Sequence, residues 1–177
     1  EVEVIHTSPP QSRRRATLSG TKTKKGAIVG FHAPMSETIF PIPECLILTP
    51  AIIAALPVLE DITRRFGTRK GEMRFAVTDT GAGLDIDVSG VEAPGHSDTE
   101  WLAMTAREAG VARVTWDGEI IVTHAEPFVR FQGIRVPLPP RAFLQATAEA
   151  EVAMQTVVLE GLKGVRGPII DLFAGLG

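Results

Sequence analysis

Apolar positions Ile52, Ile53, Leu56, Leu59 and Ile62 recur at helical spacing and predict a helix, with Thr49 as N-cap and Pro50 at its first position. Pro57 should kink or split it, because proline lacks the N–H an interior turn needs. Elsewhere the period shortens. Residues 13–19 and 25–31 read as two strands around a turn near Gly20, with small and β-branched residues interspersed among basic ones. Residues 72–78 and 84–88 read as a second pair around Gly81-Ala82-Gly83, and the later strand alternates apolar with acidic side chains. Ser97 and Glu100 have capping-box spacing ahead of a helix that ends at Gly110. Residues 111–116 and 119–123 flank Asp117-Gly118, the clearest hairpin signal in the chain. A further pair, 128–131 and 134–137, flanks Gly133.

Up to about residue 138 the pattern is therefore an α+β domain with largely antiparallel strands and two main helices. The grammar then changes. A helix expected over residues 146–162 leads into an almost wholly apolar run at 165–172, interrupted by Arg166, Gly167 and Asp171. A helix feeding a buried, parallel strand is the opening of an α/β unit, so a boundary is placed near residues 137–142. No internal repeat is visible. Trp101 and Trp116 are expected in the core. Asp85 and Asp87 share a strand face and read as a solvated face rather than a catalytic pair.

Composition narrows the function classes. With 177 residues, 44% hydrophobic and 22% charged, the chain can bury a core. Its apolar stretches are too short to cross a bilayer, and the acidic start lacks the apolar run of a secretory signal. The single Cys45 excludes an internal disulfide and fits a reducing cytoplasm. His6, His96 and His124 lie far apart, without metal-ligand spacing. The net charge of −3 conceals an asymmetry: residues 1–40 hold six basic and three acidic residues, whereas the remainder is acidic on balance. Arg13, Arg14, Arg15, Lys22, Lys24 and Lys25 suit a polyanion, and Phe31 and His32 at the end of the pair could stack on an unpaired base. A solvated edge strand that discourages aggregation is the plainer reading of the same cations.

The last residues, Asp171-Leu172-Phe173-Ala174-Gly175-Leu176-Gly177, place a glycine-rich turn after the apolar run. Such turns bring backbone N–H groups close to a ligand. Together with Pro140, Phe143, Leu144 and Gln145, the turn resembles the entry into the catalytic domain of bacterial S-adenosylmethionine-dependent RNA 5-methyluridine methyltransferases. The basic strand pair and the Ile42-Pro43-Glu44-Cys45 connection resemble that family's central domain.

The resemblance implies a central α+β domain over residues 1–138 and, over 139–177, the first helix and strand of a Rossmann-like methyltransferase domain. It implies that Gln145, Phe173, Gly175 and Gly177 bind S-adenosyl-L-methionine. It implies that Cys45 is the fourth ligand of a [4Fe–4S] cluster in a longer parent, which needs four thiolates. RNA, specifically 23S rRNA, is the implied partner, in the cytoplasm, with no membrane and no obligate protein partner. In the implied reaction a cysteine attacks uracil C6, C5 takes the methyl group, and a base removes the C5 proton. No residue here matches that cysteine or base, so the stretch is expected to be an inactive fragment of an active enzyme. Two alternatives stand beside this: a non-catalytic RNA- or partner-binding module, and a methyltransferase acting on tRNA or a non-RNA substrate.

Overall fold

Pro57 divides the first helical run in the computed structural model, which describes residues 6–172 and 174–176: α1 covers Pro50–Ala54 and α2 covers Leu56–Phe66. Pro57 falls in the first turn of α2, where its missing N–H is harmless. Thr49 occupies the N-cap position of α1, but its hydroxyl makes no capping bond and is buried without a partner.

The strands are β1 (Arg15–Thr23), β2 (Gly26–His32), β3 (Ile39–Pro41), β4 (Met73–Thr80) and β5 (Gly83–Ser89). After α3 (His96–Glu108) come β6 (Val111–Trp116), β7 (Glu119–Thr123), β8 (Phe128–Phe131), β9 (Ile134–Pro137) and α4 (Ala148–Gly161). One sheet runs β3-β2-β1-β4-β5-β6-β7 and a two-stranded sheet pairs β8 with β9. The expected predominance of antiparallel pairing holds, with one parallel pair, β5 beside β6, because α3 carries the chain back over the sheet between them.

Four details differ from the sequence reading. The β1–β2 turn lies at Lys24-Lys25, and Gly20 sits inside β1, paired with Val29 and Met73. A Cβ on Gly20 would lie 2.6 Å from Thr63 Oγ1 and 2.8 Å from Phe75 Cε2, so this glycine lets α2 approach the sheet. The helix after residue 95 uses Gly95, not Ser97, as N-cap, and no side chain caps it. Short β3 escapes the pattern altogether.

The fourth difference concerns the end of the chain. Residues 165–172 form no strand, and Ile169, Ile170 and Leu172 are exposed. An apolar strand forms only against a ladder partner, and none of the described residues supplies one. Helix α4 does form, capped by Thr147, whose hydroxyl accepts from the Ala150 N–H. Val152, Val157, Val158 and Leu159 on it are exposed.

The main core lies on one face of the large sheet. Leu18, Phe75, Val77, Ile86, Val114 and Trp116 meet Ile52 of α1, Leu59 and Ile62 of α2, and Leu102 of α3 in one cluster. Trp116 donates its indole N–H to the Val91 carbonyl at 2.9 Å, and Phe66 sets its ring edge-on to Trp101 and Trp116. A smaller cluster gathers Val129, Leu138 and Leu144. No helix among the described residues is long and apolar enough to cross a membrane.

The tight contact at Gly20 gives a direct check. Gly20→Ala should lower stability by about 1–3 kcal/mol through overpacking, measured by urea unfolding. Gly161→Ala, where an added Cβ meets nothing within 4 Å, should leave the midpoint unchanged or slightly raised.

Candidate nucleic-acid interface

Because α1, α2 and α3 share one core cluster on a single face of the sheet, the alternate residues of each strand point to the opposite face. The register identifies them: Arg15, Thr17 and Ser19 on β1 lie beside Thr78, Ala76 and Arg74 on β4. Next come Asp85, Asp87 and Ser89 on β5, then Arg113 and Thr115 on β6. Apart from Ala76, this second face is polar at its centre.

It is also partly covered, which overturns the reading of Asp85 and Asp87 as a solvated acidic face. Arg113 donates from Nε and Nη2 to both oxygens of Asp85 at 2.9 and 2.7 Å, and the guanidinium is almost fully buried. Asp87 is 8% exposed and accepts from Thr115 Oγ1 (2.7 Å), the Gly118 N–H (2.9 Å) and Arg141 Nε (2.8 Å). The bond to Asp87, with the nearby charges of Asp87 and Asp117, raises the Arg141 pKa further above its usual value. Burial at these positions is compensated by complete pairing, as buried charge requires.

Two grooves run along this face. The first, of about 1000 Å³, is lined by Thr17, Ser19, Thr21 and Thr38 hydroxyls with His32, Glu72 and the cations Arg69, Lys70 and Arg74. The second, of about 620 Å³, lies between the sheet and residues 141–146; Arg15, Asp87, Arg141, Phe143 and Gln145 line it. Both include Thr17, so the grooves adjoin.

The predicted nucleic-acid residues separate into groups. Arg14 is internal: it forms a buried ion pair with Glu151 of α4, and its Nε donates to the Gln145 carbonyl at 3.2 Å. Arg15 donates to the Leu144 carbonyl at 2.7 Å and stacks its guanidinium over Phe143 at 4.9 Å. Arg13 bridges in backbone register to Leu48, and its Nε donates to the Arg15 carbonyl. Phe31 is half-buried, packing against the main core and also lining the first groove. Lys22, Lys24 and Lys25 have no ion pair among the described residues, and Lys24 and Lys25 form the exposed β1–β2 turn. His32 lies in the first groove. The sequence reading passed over Arg69, Lys70, Glu72 and Arg74, whose only local signal was a basic, glycine-flanked loop between a helix and a strand.

Of the predicted cofactor residues, Gln145 lines the second groove and Gly175 has a φ of +65°, a left-handed turn conformation suited to glycine. Phe173 and Gly177 fall outside the described residues. Cys45 is half-buried against the main core, and no three His, Cys, Asp or Glu side chains among the described residues gather in a metal-binding group.

Comparison with known proteins adds a decisive point. No family model matches the chain. Over 177 residues it is 37% identical to an uncharacterized RNA methyltransferase of Brucella melitensis, covering 100% of this chain and 42% of that protein. A namesake in Mesorhizobium japonicum is 38% identical over 168 residues, 95% of this chain and 40% of its own length. Nearly all of this chain is thus similar to part of these RNA methyltransferases. A more distant relative, the 23S rRNA (uracil(1939)-C(5))-methyltransferase RlmD of Cronobacter sakazakii, is 25% identical over 184 residues, 43% of its length. The chain thus spans less than half the length of these methyltransferases. Among solved structures, the Pyrococcus abyssi tRNA (uracil-54, C5)-methyltransferase, in complex with S-adenosyl-L-homocysteine, matches with a TM-score of 0.63. That match has 16% identity and covers 89% of this chain and 42% of that one, and it bears on the fold alone.

The groove holds one titrating pair. His32 Nε2 lies 3.0 Å from Glu72 Oε2, and Ser19 donates to Glu72 Oε1 at 2.8 Å. The hydrogen bond to Glu72 raises the His32 pKa above 6.5, against a smaller lowering by burial. Burial pushes the Glu72 carboxyl up, but the bonds from Ser19 and His32 and the charges of His32 and Arg74 outweigh it and hold it below 4.5. The raised His32 value means that its contribution to stability is full below pH 6.5 and is lost as pH rises through the folded pKa. The lowered Glu72 value means the reverse: its contribution is present above pH 4.5 and lost as pH falls through the folded pKa. Glu72→Gln should therefore lower the His32 pKa toward its usual value in an NMR titration; an unmoved His32 titration would remove the pair.

Proposed function

We propose that the protein containing this chain transfers a methyl group from S-adenosyl-L-methionine to C5 of a uridine in 23S rRNA. The observation that carries this reading is 37% identity, over all of this chain and 42% of the relative, to a protein named as an RNA methyltransferase. The uracil-C5 and ribosomal assignments draw support from the resemblance to the 23S rRNA enzyme. In this reading residues 1–138 form the central domain on the substrate side, and residues 139–177 open the cofactor domain. The nucleophile and base are supplied by other parts of the protein, so this stretch alone is inactive.

The residues near the second groove suit the cofactor in part. Gln145 and Phe143 both line the groove, and Gly175 gives the terminal turn its left-handed residue. Gln145 would hydrogen-bond the methionine end of the cofactor, with Phe173 and the backbone of Gly175 and Gly177 around it. Bound S-adenosylmethionine would supply an electrophilic methyl group. Arg14 and Arg15 would hold the main chain there, through the backbone carbonyls of Gln145 and Leu144.

The iron–sulfur cluster fits less well. Cys45 is the chain's single thiol, and a [4Fe–4S] cluster takes four ligands. Cys45 serves as one ligand only with three from outside these residues, and no chemical step is assigned through it. The fold neighbour is named as a tRNA methyltransferase, which makes tRNA the second substrate to test.

The test uses a protein of the relatives' length that contains this chain, with labelled S-adenosylmethionine and either 23S rRNA or tRNA. The expected result is 5-methyluridine in the ribosomal RNA, detected by mass spectrometry of the nucleosides. Gln145→Ala should weaken cofactor binding by about tenfold or more, the loss of a hydrogen bond to a charged group. Product in tRNA alone would move the assignment to that substrate, and no methylated uridine in either would end the reading.

A further inference from the structure

Cations from two stretches far apart in sequence converge on one end of the sheet. The β1–β2 turn carries Lys24 and Lys25, the loop between α2 and β4 carries Arg69 and Lys70, and Arg74 stands near the start of β4. The register brings them together. Thr23 pairs with Gly26 at the turn, and Gly20 pairs with Met73, so the turn and the start of β4 lie at the same end of neighbouring strands.

These charges have few partners. Lys24, Lys25, Arg69 and Lys70 make no ion pair among the described residues. Arg74 approaches Glu72 only to 3.6 Å, with 69% of its side chain exposed. At the opposite end of β1 the arginines are spent on the protein itself, Arg14 on Glu151 and Arg15 on the Leu144 carbonyl. Unpaired cations held in proximity repel one another, and a polyanion relieves that repulsion.

The adjoining first groove supplies the other half of a nucleic-acid site. Four hydroxyls, from Thr17, Ser19, Thr21 and Thr38, face it. Glu37 and Glu72 also line it, but Glu72 is held by Ser19 and His32, so the cations dominate. Basic side chains beside hydroxyl donors match a phosphate backbone and ribose 2′-OH groups.

We propose that this end of the sheet binds the phosphodiester backbone of an RNA strand, with Lys24, Lys25, Arg69, Lys70 and Arg74 contacting phosphates. The first groove takes the sugars that follow. The proposal rests on the reading that the protein acts on RNA and names where this chain holds it. Of the cations expected from the sequence it keeps Lys24 and Lys25, and it adds Arg69, Lys70 and Arg74.

The experiment measures the affinity of this chain for a labelled unpaired oligoribonucleotide by fluorescence anisotropy, from about 50 to about 200 mM salt. Three variants of unaltered circular dichroism are compared with the parent: Arg69→Gln/Lys70→Gln/Arg74→Gln, Lys24→Gln/Lys25→Gln, and a control, Arg107→Gln/Arg130→Gln/Lys163→Gln, with the same charge removed elsewhere. Single-strand contacts contribute about 0.7 each to the log–log salt slope, so the first variant should flatten it by about two and the second by more than one. The control should keep the parent slope. Parent-like slopes in the first two variants, an equal fall in the control, or a parent chain without salt-dependent affinity would each overturn the site. Binding is read without cofactor, so the site fails independently of methyl transfer. Methyl transfer by a protein with an unaffected groove variant would leave the enzyme reading standing and sink this site alone.

Discussion

Leu18, Phe75, Val77, Ile86 and Val114 all turn toward α1, α2 and α3, and this one-sided burial is the constraint on which the other features depend. A strand sends successive side chains to opposite faces, so fixing one face as apolar fixes the identity of the other. The second face has no helix layer of its own from α1–α3, and its side chains are satisfied by one another, by residues 141–151 and by solvent. The Asp85–Arg113 pair, the Asp87 hub and the Ser19–Glu72–His32 chain are local solutions to that problem. The grooves lie along this face, the second of them between the sheet and residues 141–146.

The elements most legible in the sequence were those specified locally. Asp117 and Gly118 both have positive φ, as do Gln132 and Gly133, and these pairs close the two hairpins where the turn chemistry placed them. Pro57 split its helix for an equally local reason. Gly20 misled because glycine marks both turns and close approaches, and only the position of Thr63, 43 residues away by number, separates the two. The run at 165–172 read as a buried strand because apolar composition reports a demand for burial without naming what meets it.

The site was legible in outline and not in detail. Basic residues near the start of the chain did point to a charged surface, but their contacts sort them by position along β1. Arg14 and Arg15 meet Glu151, Leu144 and Phe143, residues more than 125 positions away, which no local pattern encodes. Alternation correctly put Asp85 and Asp87 on one face, yet it carried no information about Arg113, Thr115 and Arg141, which pair with them. Gln145, by contrast, was found through a motif and lies at a groove wall.

Strand β1 joins these regions as one continuous nine-residue rod, about 30 Å long at the usual rise per residue. Its far tip is ringed by cations, while at its root Arg14 and Arg15 grip the backbone carbonyls of Gln145 and Leu144. Hydrogen bonding to β2 and β4 on either side stiffens the rod against bending. One paired strand thereby sets the separation between the basic turn at one end and the main chain around Gln145 at the other.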